Sequence, residues 1–438
     1  MEKKICFNPV FPLIDLPQIK AVNLPLVYNI SLDQYKTKKI ENIEKEVKIA
    51  LNKSIKIKKL SKGSTIAIAV GSRGISQIKE IISIIVTWLK HNEFKCFIIP
   101  AMGSHGGATR EGQVKVLKSL GITEEIVGAQ IKATMDVVDY GKTKYGVDCK
   151  FDKLAALSDG VIVVNRIKSH TSFSRPIESG LTKMVAVGLG NAEGAKNVHQ
   201  LGMRGILEVL PDLAKIAIEK SPILYGIGLV ENSKKELCII EGVEPDDFLS
   251  TDKKLLKIAK KNLPKLPFSH LDVLIVENFG KNISGGGMDY AVTGRTDIRG
   301  IPNPSKPFII KIGVLSLTEI SNGNAGGIGV ADFITHSMSK KINLYDMYVN
   351  AITSTTTEKI RIPMVLPNDL AVIKASILTC WNPNLDKIRF CIIHSTLNLD
   401  NILVSTALFN EIKKDDKDFT PPKSLKFTRT GKLLTKCS

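Results

Sequence analysis

Cysteine is scarce here and never clustered. The seven residues Cys6, Cys96, Cys149, Cys238, Cys380, Cys391 and Cys437 lie far apart, are odd in number and form no C-x-x-C pair. That argues against both a disulfide framework and a thiolate cage for zinc or an iron–sulfur cluster, and it makes a reducing, cytoplasmic setting the expected one. Long apolar runs are missing too. The most apolar window, Ile81 to Leu89 (IISIIVTWL), falls well short of the about 20 residues that span a bilayer, and reads instead as a buried helix face. The opening residues MEKKICFNPVFPLIDLPQIK are interrupted by Pro and Asp, which makes a poor signal peptide. No membrane partner is expected.

Common catalytic signatures are also lacking: there is no H-E-x-x-H, no G-x-S-x-G and no G-x-x-x-x-G-K-[ST]. GLGNAEG and GNAGGIG match a dinucleotide loop only loosely, so a Rossmann dehydrogenase is disfavoured. The net charge of +18 is the one compositional oddity. Runs such as Lys36 to Lys39, Lys56 to Lys59 and Lys253 to Lys261 read as solvated faces, and no basic stretch interleaves with aromatics as a nucleic-acid groove would. A small anionic substrate or a phosphate-bearing cofactor accounts for the sign equally well.

What is present is the composition of a folded protein, with 43% hydrophobic and 24% charged residues over 438 positions. That length exceeds what one core usually serves and predicts two domains. From Thr65 onward, β-branched runs (TIAIAV, CFIIP, GVIVVN) alternate with helix-period segments (Gln77 to His91, Glu111 to Leu120), the texture of an α/β fold. A second such block starts with LDVLIVENFG after the Lys/Pro-rich KKNLPKLPFSH, so the expected division is 1–267 and 268–438, two α/β domains with a cleft between them. The charged tail from Lys413 is expected on the surface.

Three of the seven histidines stand in polar settings flanked by Gly, Ser or Asn: His105 in GSHGGATR, His170 in VNRIKSH and His199 in AKNVHQLGM. His105 and His170 each follow a strand-like run, as Arg73 does in VGSRG. In an open parallel sheet the ligand crevice lies beyond the carboxyl ends of the strands, so these residues are expected at its rim. Each has a plain structural reading: a sharp connection for the His105 loop, a hydrogen-bonding role for His170, helix packing for His199. Lys183 sits inside the apolar, strand-like run GLTKMVAVGLG. An ammonium there either reaches outward or has chemistry to perform.

Taken together, Arg73 in VGSRG, His105 in MGSHG, His170 in IKSHT, Lys183 in GLTKM and His199 in NVHQ resemble, in order and setting, the lactate racemase family of nickel-pincer enzymes. The resemblance implies a racemase or epimerase of 2-hydroxy acids. It implies that Lys183 tethers a nickel-pincer nucleotide covalently and that His199 ligates the nickel. It makes His105 and His170 the acid–base pair on the two sides of the substrate C2, and Arg73 the carboxylate clamp. Cofactor-maturation proteins would be its partners. In the second domain the family adds a substrate-binding lysine and glutamine. This chain offers Asp289, Thr293 and Arg295 there, with Arg295 as a second carboxylate contact. IVVNRIKSHTSF and GLTKMVAVGLG also resemble domains of unknown function found beside iron–sulfur modules, an accessory role that the scattered cysteines count against.

Overall fold

The computed structural model describes residues 10–32, 37–72, 74–171, 174–412 and 421–437. Arg73 lies outside them. The chain divides into two compact units: residues 37–170 and 174–263 form the first, and residues 10–32, 171, 264–412 and 421–437 form the second.

The first unit is built on a six-stranded sheet in the order Gln130–Ile131, Lys95–Pro100, Thr65–Val70, Gly160–Arg166, Ile223–Glu231, Leu237–Val243. All neighbours are parallel except the last pair. Its central strands are unbroken runs of Ile, Val and Ala with almost no exposure, as strands covered on both faces must be. Helices Ile43–Asn52 and Ile78–His91 cover one face. Asn191–His199 and Leu210–Lys220 cover the other. The connections from Thr65–Val70 proceed outward through Lys95–Pro100 to Gln130–Ile131, and the chain then returns to the opposite side as Gly160–Arg166. The order therefore reverses between Thr65–Val70 and Gly160–Arg166, and the crevice beyond the carboxyl ends at such a reversal is where ligands bind in sheets of this kind.

The second unit holds a seven-stranded sheet in the order Val27–Ser31, Asn401–Ser405, Phe390–Ile393, His270–Phe279, Phe308–Leu317, Phe333–Thr335, Met364–Leu366. The last five are mutually parallel and the first two pair antiparallel. Its two glycine-rich loops are tied together by Lys281, whose Nζ donates to Gly285 O at 2.9 Å and Gly326 O at 2.6 Å.

Two expectations are corrected here. Residues 10–32 do not share the first unit. Val27–Ser31 extends the second sheet, burying Val27 and Ile30, and this long-range pairing has no local signature in the sequence. The described part of the tail is no loose surface segment either. Leu425, Leu433 and Cys437 are buried in the second unit, and Leu433 N–H donates to Asp369 Oδ2 at 2.9 Å. Among the described residues no helix is long and apolar enough to cross a membrane.

Candidate active site

The strand Thr65–Val70 ends at Gly71, where a Cβ would stand 3.4 Å from Asn165 Oδ1 and 3.9 Å from Met184 Cε. Three segments thus meet at the sheet's carboxyl edge: the loop that leads to Arg73, the end of Gly160–Arg166, and the helical run after Lys183. Ser72 Oγ shares a hydrogen bond with His105 Nδ1, which orients the imidazole. The loop is held further along by Glu231, which accepts from Ser76 N–H at 2.7 Å and pairs with Arg166.

His105 arrives from the neighbouring strand. After Lys95–Pro100 the chain passes Gly103, with φ +59°, whose N–H donates to Gly188 O at 3.1 Å. A Cβ at Gly103 would meet Ala195 Cβ at 3.1 Å and Val187 O at 3.2 Å, so glycine permits the loop to lie directly on the segment joining Lys183 to His199. His105 itself is exposed at the turn.

The run around Lys183, strand-like in sequence, is helical. Leu181–Lys183 forms a short helix that continues as a π-helical turn over Met184–Gly188. Every residue of that run is buried except Lys183, which is half-buried. A wholly buried run carries no periodicity, which is why strand and helix could not be told apart from sequence. π-Turns cost backbone regularity and recur at functional sites. The helix start is fixed by Asp252, a buried carboxylate accepting from Leu181 N–H at 3.0 Å and Thr182 N–H at 2.8 Å.

Burial pushes the Asp252 carboxyl up to about 6, against the pull of those N–H donors. Its folded value lies above its ordinary 3.8, so the folded protein retains a proton that the unfolded chain has already lost. This contribution to stability is complete below pH about 4 and disappears as pH rises through about 6, a loss of about 3 kcal/mol. Asp252→Asn is expected to flatten the pH dependence of the denaturant midpoint across that window; an unchanged slope would contradict the assignment.

His199 closes the helix Asn191–His199. Burial lowers its pKa, and the positive charge of Lys183 lowers it further, which places the two side chains within electrostatic reach and favours neutral imidazole near pH 7. His170 is half-buried in the loop after Gly160–Arg166. That loop is bound back to the Lys183 helix, with Asn165 Nδ2 donating to Gly180 O at 2.7 Å and Lys168 N–H to Ser179 Oγ at 2.9 Å.

The backbone segments bearing His105, His170, Lys183 and His199 are therefore bonded to one another at the strand-order reversal of the first sheet. Arg295 belongs to the second unit, where Nη1 donates to Val330 O at 2.8 Å and Asp332 Oδ2 at 2.9 Å, and Nη2 to Ile309 O at 3.1 Å and Ile310 O at 2.7 Å. Asp252, Glu231 and Glu178 support the site and were not singled out from sequence. None of the three carries a local signal: Asp252 stands beside the exposed Lys253 and Lys254, and Glu178 beside the half-buried Ser179.

Residues 19–205 match the family model of the lactate racemase N-terminal domain. Over that stretch, less than half of its length, the chain is similar to the N-terminal domain of lactate racemases. Among solved structures, a protein from Thermotoga maritima is 12% identical, with a TM-score of 0.49 over 82% of this chain and 89% of its own. The lactate racemase apoprotein from Thermoanaerobacterium thermosaccharolyticum is 14% identical, with a TM-score of 0.44 over 69% and 71%. No curated protein matches the chain.

Proposed function

We propose that this protein is a nickel-dependent racemase or epimerase that inverts C2 of a 2-hydroxy acid. The observation that carries the reading is the packing of the segment that joins Lys183 to His199 directly against the His105 loop, through Gly103 on Gly188 and Ala195. Among the described residues no three His, Cys, Asp or Glu side chains converge as a metal cage. One imidazole beside one amine suits a group that brings most of its own metal ligands, namely a nickel-pincer nucleotide tethered at Lys183 and ligated by His199. Bound there, that group would supply a reversible hydride acceptor for C2.

The remaining work falls to the chain. His105 and His170 take and return the hydroxyl proton, each serving one face of C2, imidazole being a side chain that can both give and accept a proton. The Ser72 hydroxyl holds His105 Nδ1 and so fixes the ring. Arg73, three residues past the end of Thr65–Val70, grips the carboxylate with its paired donors. The substrate is a small anionic 2-hydroxy acid. The proteins that synthesise and load the pincer are the expected partners.

Protein produced together with the pincer-synthesis proteins is expected to carry nickel and a mass adduct on Lys183. Lys183→Arg should lose the adduct, and His199→Ala should keep the adduct while holding nickel poorly. Active enzyme with neither nickel nor adduct would sink the reading.

A further inference from the structure

The loop that presents His170 is organised around one side chain that the reaction itself does not require. Glu178 is 1% exposed, and both of its oxygens are fully engaged. Oε2 accepts from His170 N–H at 2.6 Å and from Ser169 Oγ at 3.1 Å. Oε1 accepts from Arg175 N–H at 2.6 Å and pairs with Lys260 Nζ at 2.5 Å. Lys260 reaches in from the helix Phe248–Lys261 and also donates to Ser174 Oγ at 2.7 Å and Arg175 O at 3.4 Å. The same helix carries Asp252, which fixes the start of the Lys183 helix. One helix thus holds the two segments that bear His170 and Lys183.

We propose that Glu178, backed by Lys260, is the positioning residue for His170. The inference rests on the reading of His170 as an acid–base group, but its geometry stands apart from that reading. A carboxylate can accept at all four lone-pair sites, which matches the four donors here. An amide in its place must turn an N–H₂ toward one of the two backbone N–H groups, so Glu178→Gln cannot satisfy both His170 and Arg175. The loop must then shift, and His170 with it. Misplacement of a catalytic group by about 1 Å costs about 10²-fold in rate. Substrate binding, attributed to Arg73 on another loop, is left alone.

The test uses Glu178→Gln, with Lys260→Met as the milder variant in case the first fails to fold. In matured enzyme, Glu178→Gln is expected to lower kcat for C2 inversion by about 10²-fold with KM nearly unchanged and nickel and adduct retained. Lys260→Met should give a smaller loss in the same direction. In unloaded protein, the imidazole resonances of His170 should move and titrate differently in either variant, while those of His105 keep their wild-type positions. Folded variants with wild-type kcat and an unmoved His170 resonance overturn the positioning role. Wild-type protein that never inverts C2, with His170 still displaced in the variants, would sink the racemase reading and leave the positioning role standing.

Discussion

Replacing His105 or His170 with alanine is expected to slow inversion at C2 by about 10²–10⁴-fold, the usual contribution of a positioned general acid–base, while nickel and the Lys183 adduct stay in place. The two sites permit this separation. His105 is exposed at its turn, and the turn is held by backbone contacts of Gly103 and by Gln113, whose Nε2 donates to Gly103 O at 2.8 Å. His170 is anchored through its backbone N–H, so its side chain can be removed without releasing the loop. Neither substitution touches Lys183 or His199. If each histidine serves one face of C2, the variants should also differ by substrate enantiomer, each failing most in the direction that needs its proton first. The first half-reaction from each enantiomer, followed in a single turnover, measures this, and turnover unchanged in either variant would refute the pairing.

A second large effect is expected at Gly180. Its φ of +143° with ψ of −159° is a conformation that side-chain-bearing residues scarcely adopt, and a Cβ there would stand 2.3 Å from Asp252 Oδ1. Gly180→Ala therefore imposes backbone strain and displaces the carboxylate that holds Leu181 and Thr182, leaving buried groups unpaired. Together these should cost about 3–5 kcal/mol, read as a fall in the denaturant midpoint. A loss under about 1 kcal/mol would mean that Asp252 does not fix the start of the Lys183 helix as described. Because Lys183 follows three residues later, a folded Gly180→Ala protein should also take up the Lys183 adduct poorly.

Much of the first unit is legible in the sequence. The strands Thr65–Val70, Lys95–Pro100 and Gly160–Arg166 stand where their β-branched runs indicate, because strands buried on both faces are continuous apolar runs with turn residues at their ends. His105 and His170 follow those strands, so their place at the carboxyl edge could be reasoned from order alone. Less legible are features set by distant partners. Asp252 lies in S-T-D-K-K, which reads as a solvated helix face, yet it is buried because its acceptors are needed by N–H groups some seventy residues earlier. Lys260 belongs to the same lysine-rich run and is instead drawn to Glu178. Arg295 donates to carbonyls of a strand that local reading does not place beside it. In each case charge in the sequence marks a polar side chain, and only the tertiary fold decides whether water or a buried partner satisfies it.

The central claim is tested most directly by following inversion at C2 across a panel of C2-deuterated 2-hydroxy acids, lactate, malate, 2-hydroxyglutarate and gluconate among them, with protein matured by the pincer-synthesis machinery. Inversion of at least one member with its C2 deuterium retained, lost in Lys183→Arg, is the predicted result. Matured protein that carries nickel and the adduct yet inverts none of them would contradict it.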